Sequence, residues 1–135
     1  MRNASFIYST SFFITSNPKA LLEVAKYASE NNVPFGYNFS AVFLLMFELD
    51  NVLATLEHAD YLFANEDEAA AFGKARGMEG ASLQDIAKDI ARFKKSNSKP
   101  RTAIVTNGAK PVIVARSLPG SDEVELKEYP VIALP

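Results

Sequence analysis

Tyr61-Leu62-Phe63-Ala64-Asn65-Glu66-Asp67-Glu68-Ala69-Ala70-Ala71-Phe72 is the stretch from which the architecture is read. An apolar run from Tyr61 to Ala64 passes without a linker into a helix whose first turn is built of carboxylates. Asn65 stands where an N-cap belongs, and Glu68 follows three residues later. One reading is a capping box: the Asn side chain accepts from a free backbone N–H while Glu reaches back to the N–H of the cap. The other is a binding edge, because open α/β sheets take their ligands at the carboxyl ends of strands. A carboxylate there suits Mg²⁺, usually through water, and so positions the phosphates of a nucleotide. The stretch leaves both readings open.

Working outward, the same strand-then-helix pattern recurs. Phe6 to Ser9 is β-prone, and Ser11 to Ile14 reads as a loop. Asn17-Pro18 starts a helix, with proline at the position where its missing N–H costs nothing. Leu21, Ala25 and Ala28 give that helix an apolar face, and Asn31-Asn32 with Pro34 end it. Phe35 to Phe39 is the next strand. Ser40 is expected to cap a helical region carrying Phe43, Leu44, Phe47, Val52 and Leu56, broken near Asp50-Asn51.

Beyond Arg76, Gly77 and Gly80 mark a turn. Ser82 and Asp85 open a helix whose apolar residues Leu83, Ile86, Ala87, Ile90 and Phe93 keep a 3.6-residue spacing. Thr102 to Thr106 is a strand, and Asn107-Gly108 is expected to turn it into Val112 to Ala115. Val124 to Tyr129 is a further strand. Alternation of this kind predicts an α/β fold: a mostly parallel sheet flanked by helices, with an antiparallel hairpin at its edge. Residues 1–135 read as one partial domain.

Composition narrows the possibilities. The chain has 135 residues, 48% hydrophobic and 22% charged, which is globular composition. A net charge of −2 supplies no basic footprint for nucleic acid or anionic membranes. There is no cysteine, so disulfides, thiolate zinc sites and cysteine nucleophiles are excluded. The longest apolar run, Ala41 to Phe47, is too short to cross a bilayer. The Met1-Arg2 opening lacks a following cleavage signature, which argues against a signal peptide. A soluble intracellular protein is expected.

The chain contains no G-x-x-x-x-G-K-[ST] phosphate loop, no G-x-G-x-x-G and no G-x-S-x-G elbow. His58 is the only histidine, too few for a zinc site, and reads as a surface or packing residue. Five blocks in order do carry a resemblance: Ser11-Phe12-Phe13-Ile14-Thr15-Ser16, Ala28-Ser29-Glu30-Asn31-Asn32, Asn38-Phe39-Ser40-Ala41-Val42-Phe43, Asn65-Glu66-Asp67-Glu68-Ala69 and Thr106-Asn107-Gly108. Together they resemble the adenosine kinase branch of the PfkB (ribokinase-like) carbohydrate kinase family, over nearly the whole chain.

That resemblance implies transfer of the ATP γ-phosphoryl to the 5′-hydroxyl of adenosine, giving AMP in purine salvage, with Mg²⁺ as cofactor. Asn65 and Glu68 match the family pair at the phosphates and the Mg²⁺-bound water. Thr106 and Gly108 match the element beside the ATP phosphates. Phe12 and Phe43 match aromatic positions of the adenosine pocket. Their plainer readings are core aromatics and, for Asn107-Gly108, a hairpin turn.

Ser11 stands where the family tends to have glycine, and Val42 where it often has proline. The family's D-T-x-G-A-G-D signature, with its aspartate base, is not found, so no catalytic residue is assigned. The chain reads as the middle of a kinase, with Pro130 to Pro135 apolar to the end. Alternatives are another PfkB sugar or nucleoside kinase fragment, or a non-catalytic nucleotide-binding remnant. The resemblance further implies a cytoplasmic protein, with the nucleus as a second location. It implies a monomer for the complete enzyme; this chain alone is expected to self-associate.

Overall fold

The computed structural model describes residues 5–132. Met1-Arg2 and the last three residues of the Pro130–Pro135 run lie outside them. The elements in order are β1 (Ile7–Thr10), α1 (Phe13–Ser16), α2 (Pro18–Glu30), β2 (Phe35–Asn38), α3 (Val42–Phe47), α4 (Leu49–Leu56), β3 (Tyr61–Ala64), α5 (Glu66–Ala75), α6 (Leu83–Arg92), β4 (Thr102–Asn107), β5 (Lys110–Ser117) and β6 (Val124–Tyr129). They form one six-stranded sheet in the order β1-β2-β3-β4-β5-β6, parallel through β4 and antiparallel beyond it.

Where a cap is local, expectation and structure agree. The Asn17 side chain accepts from Ala20 N at 3.0 Å, Pro18 opens α2, and Leu21, Ala25 and Ala28 are buried. Ser82 accepts from Asp85 N at 3.1 Å, and α6 buries Ile86, Ala87, Ile90 and Ala91.

Four local expectations are corrected. The segment expected as a loop at Ser11–Ile14 closes into the short helix α1, with Ile14 buried. Ser40 does not cap α3: it sits at φ +68°, and its Oγ donates to Asn38 O, leaving Ala41 at the N-cap without a side-chain bond. The helix break falls at Glu48, which leaves helical angles, rather than at Asp50-Asn51. Asn51 instead sits inside α4 and donates to Glu48 Oε2 at 2.8 Å, so its amide does not compete with the helix backbone. Finally, Asn107 belongs to β4 and pairs with Lys110. The turn pair is therefore Gly108-Ala109, with Gly108 supplying the positive φ of +59°.

Strand order has a physical consequence. Parallel crossovers are right-handed, so strands laid down in sequential order put all their connecting helices on one face. Burial follows suit: Tyr37, Leu62, Ala103 and Ala115 share a register row and are fully enclosed. Enclosing Leu62 alone contributes about 1.5–3 kcal/mol. Phe39 stacks on Phe72 of α5 at 5.3 Å between ring centroids, tying the end of β2 to that helix.

The adjacent rows point the other way, through Tyr8, Gly36 and Tyr61, then Asn38, Phe63 and Ile104. On this face Tyr8 keeps 53% and Tyr61 39% of its surface, with Phe6 at 48%. The rings pair with one another, Phe6 with Tyr61 and Tyr8 with Phe63, over the space left by Gly36. A contiguous aromatic face in water favours association. The 135-residue chain is expected to enhance the fluorescence of a hydrophobic dye and to run larger than a monomer in size-exclusion chromatography. A monomeric, cooperatively melting, dye-silent protein is the result that contradicts this.

The amino rim of the strands is held by buried polar groups. Asp60 accepts from Phe35 N at 2.9 Å and from Lys95 Nζ at 2.7 Å. Arg101 is fully buried, its guanidinium donating to the carbonyls of Ala59, Ile90, Phe93, Leu56 and Lys94. His58 lies beside this rim with Nδ1 2.8 Å from Ser96 Oγ, in keeping with a packing role.

Candidate functional site

The carboxyl ends of β1 to β4 open onto a cleft of about 600 Å³. Its floor is formed by strand-end residues of the open face, Thr10, Asn38, Phe63, Ile104 and Thr106, and its walls by Phe12, Ser40, Asn65 and Glu68. Strands end here because Asn38 and Asn65 divert the backbone. The Asn38 side chain accepts from Ser40 N at 2.8 Å, a local turn that competes with further pairing. Asn65 ends β3 by capping α5.

The capping box is realised in full. Glu68 N donates to Asn65 Oδ1 at 2.8 Å, and Asn65 N donates to Glu68 Oε1 at 3.1 Å. Glu66, Asp67 and Glu68 all lie in the first turn, where the helix dipole favours negative charge. The cap does not exhaust Glu68. The residue is 6% exposed and lines the cleft, and its Oε2 makes no hydrogen bond among the described residues. One hard anionic oxygen facing a cleft suits a divalent cation that keeps most of its waters and takes further oxygens from a ligand. Among the described residues no group of three or more His, Cys, Asp or Glu side chains gathers into a cation cage.

Of the residues singled out in the sequence, Phe12, Asn65, Glu68 and Thr106 meet at the cleft. Phe43 stands one layer back: its ring lies 6.2 Å from that of Phe12, tilted by 49°. The two rings keep 49% and 47% of their surface, so they are not core aromatics. Gly108 lies in the β4–β5 turn, outside the cleft lining, with open space where a Cβ would stand. Thr106 sits between Val105 and Asn107, where the register of β4 against β5 shifts.

Tyr8, Thr10, Asn38 and Ser40 also line the cleft. The sequence does not mark them as site residues, because what brings them to the cleft is their place in the sheet. Thr10 and Asn38 are the last residues of adjacent parallel strands, in register with each other. Finding them requires strand order, which no local pattern supplies.

Comparison with known proteins adds the following. The chain matches the model of the pfkB family carbohydrate kinases over residues 1–133. It is 36% identical to adenosine kinase 1 of Arabidopsis thaliana over 136 aligned positions, covering 100% of this chain and 38% of that protein. The crystal structure of Anopheles gambiae adenosine kinase in complex with P1,P4-di(adenosine-5) tetraphosphate superposes with a TM-score of 0.89 at 34% identity, covering 99% of this chain and 38% of that one. Adenosine kinase from Schistosoma mansoni in complex with adenosine and AMP gives 0.88 at 27% identity, covering 99% and 40%. The chain thus spans about 38% of the length of the curated relatives it matches.

Proposed function

The chain belongs to the pfkB family of carbohydrate kinases, and from that premise we propose that it is the nucleoside- and phosphate-facing part of an ATP-dependent adenosine kinase. The observation that carries the reading is the meeting of Phe12, Asn65, Glu68 and Thr106 in one cleft at the carboxyl ends of parallel strands. An open α/β sheet binds its ligands there. Relatives named as adenosine kinases, one solved with adenosine and AMP, support adenosine as acceptor and ATP as donor.

The roles follow from side-chain chemistry. Phe12, backed by Phe43, offers an apolar wall to a purine ring. Thr106 is assigned to the phosphates, and the Gly108 turn, which lies outside the cleft lining, follows two residues on. Glu68 would hold Mg²⁺ through water, with Asn65 beside it, and the ion when bound neutralises phosphate charge. Phosphoryl transfer also needs a group that takes the hydroxyl proton. Among the described residues Glu68 is the only carboxylate of the cleft lining, and its unbonded oxygen is assigned to the metal, so we assign no base within them.

The test is titration calorimetry with adenosine, coupled to an AMP-formation assay on the same 135-residue chain. Adenosine is expected to bind and AMP to stay at background, since losing a coupled catalytic group costs orders of magnitude in rate. Failure to bind any nucleoside or nucleotide overturns the site. Turnover free of contaminating kinase overturns the missing base. Preference for a small sugar over adenosine favours another kinase of the family.

A further inference from the structure

We propose that Ser11 and Ser40 are positioning residues that lock Phe12 and Phe43 into a single aromatic wall. This rests on the reading of the cleft as a nucleoside site. The two phenylalanines stand on different segments, Phe12 at the exit of β1 and Phe43 in the first turn of α3, and nothing in their own backbone fixes their spacing. The fixing comes from the residues that precede them.

Ser11 N–H is shared between Asn38 O at 2.9 Å and Ser40 Oγ at 3.1 Å. Ser40 Oγ in turn donates to Asn38 O at 3.1 Å, and Ser40 N donates to Asn38 Oδ1 at 2.8 Å. The same Asn38 side chain reaches across the open face, its Nδ2 donating to Tyr8 OH at 3.2 Å. Ser11 Oγ is driven inward and donates to Tyr37 OH at 2.5 Å, and Ser11 is fully buried. Burial pushes the Tyr37 hydroxyl well above its ordinary range, with hydrogen bonds to Ser11 and Thr55 opposing. It therefore stays a neutral phenol able to accept from Ser11.

Ser40 holds φ +68°, a left-handed conformation that glycine adopts at far lower cost. An L-residue persists there only when its surroundings over-determine it. Here the Ser40 N–H and hydroxyl, both bonded to Asn38, over-determine the turn, and the hydroxyl also accepts from Ser11 N–H, which ties the Phe12 segment to the Phe43 segment. Such a bridge serves a wall better than a core, because the two rings it spaces are half exposed and gain little from packing.

Ser40→Gly deletes the bridge while letting the backbone keep its left-handed turn without strain. Three measurements on the full chain decide the matter: a thermal melt, aromatic–aromatic NOEs in protein labelled on phenylalanine, and adenosine affinity by calorimetry. We expect a melt within a few degrees of the parent, loss of the Phe12–Phe43 NOE, and adenosine affinity lowered about fivefold to tenfold, the worth of one or two hydrogen bonds. An unchanged NOE overturns the bridge, and a lost NOE with unchanged affinity overturns its bearing on binding. If the parent itself binds no adenosine, the nucleoside reading falls, while the NOE of the free protein still decides the bridge. Should Ser40→Gly not fold, Ser40→Ala, which removes the same hydroxyl from the Ser11 N–H, is read in the same way.

Discussion

Arg101→Met is expected to lower the unfolding free energy by about 3–5 kcal/mol, because it strips a charged donor from several buried carbonyls at about 1–3 kcal/mol each. Typical domains hold about 5–15 kcal/mol in all, so the variant would lie near the edge of folding. Arg101 immediately precedes β4, yet its guanidinium reaches the carboxyl ends of two helices. Nη2 donates to Leu56 O at the end of α4 at 2.6 Å, and Nη1 donates to Ile90 O and Phe93 O at the end of α6 at 3.1 and 2.5 Å. Nε takes Ala59 O at 3.0 Å. Helix ends leave carbonyls without partners and carry partial negative charge, so one planar cation with a fixed fork of donors answers both needs.

Burial pulls the Arg101 pKa down to about 10, opposed by Asp60 and Glu57, so the group remains charged at neutral pH. Methionine retains much of the volume and none of the donors. Leu56 O and Ile90 O keep backbone donors from Ala59 and Phe93, which holds the loss below a simple sum over bonds. Arg101→Lys should recover only part, because an ammonium cannot span both helix ends. Urea unfolding of parent and both variants provides the measurement. A loss under about 1 kcal/mol for Arg101→Met would mean that water or neighbouring groups replace the guanidinium.

Glu68→Gln is expected to raise the Mg²⁺ requirement and lower kcat by roughly 10- to 100-fold, the usual cost of disturbing groups around a bound metal. The reading needs turnover, so it belongs in a full-length enzyme carrying this segment. Glutamine still accepts from Asn65 N–H, because a capping box takes either residue at this position. What disappears is a negative charge near the start of α5, worth about 0.3–1 kcal/mol. Stability should therefore change little while the response to magnesium moves. Unchanged magnesium dependence in a well-folded variant would leave Glu68 as a helix cap and nothing more.

These two residues were not equally legible. Glu68 stood out because its chemistry is local: Asn65, a first turn of carboxylates and three-residue spacing are all visible along the chain. Asn17-Pro18 and Ser82 were readable for the same reason, as were the strand-end junction and the antiparallel hairpin. Arg101 carries no such local mark, standing between Pro100 and the first residue of β4. Its partners Ala59 and Leu56 lie 42 and 45 residues away, and no periodicity records such a reach.

Neighbours along the chain thus set what can be capped, turned or paired within a few residues. They were enough for an α/β sheet whose third strand runs into a carboxylate-led helix. Long-range packing settled the rest. Sequential strand order left one face aromatic and open, and the register of β1 against β2 put Tyr8, Thr10 and Asn38 along the floor of the cleft. Ser40 looked like a helix cap, but its hydroxyl found Ser11 across 29 residues and was drawn into a left-handed turn. The physical reason is the same in each case. A backbone cap is satisfied within one helical turn, whereas a buried polar group takes whichever donor or acceptor the assembled core brings within reach.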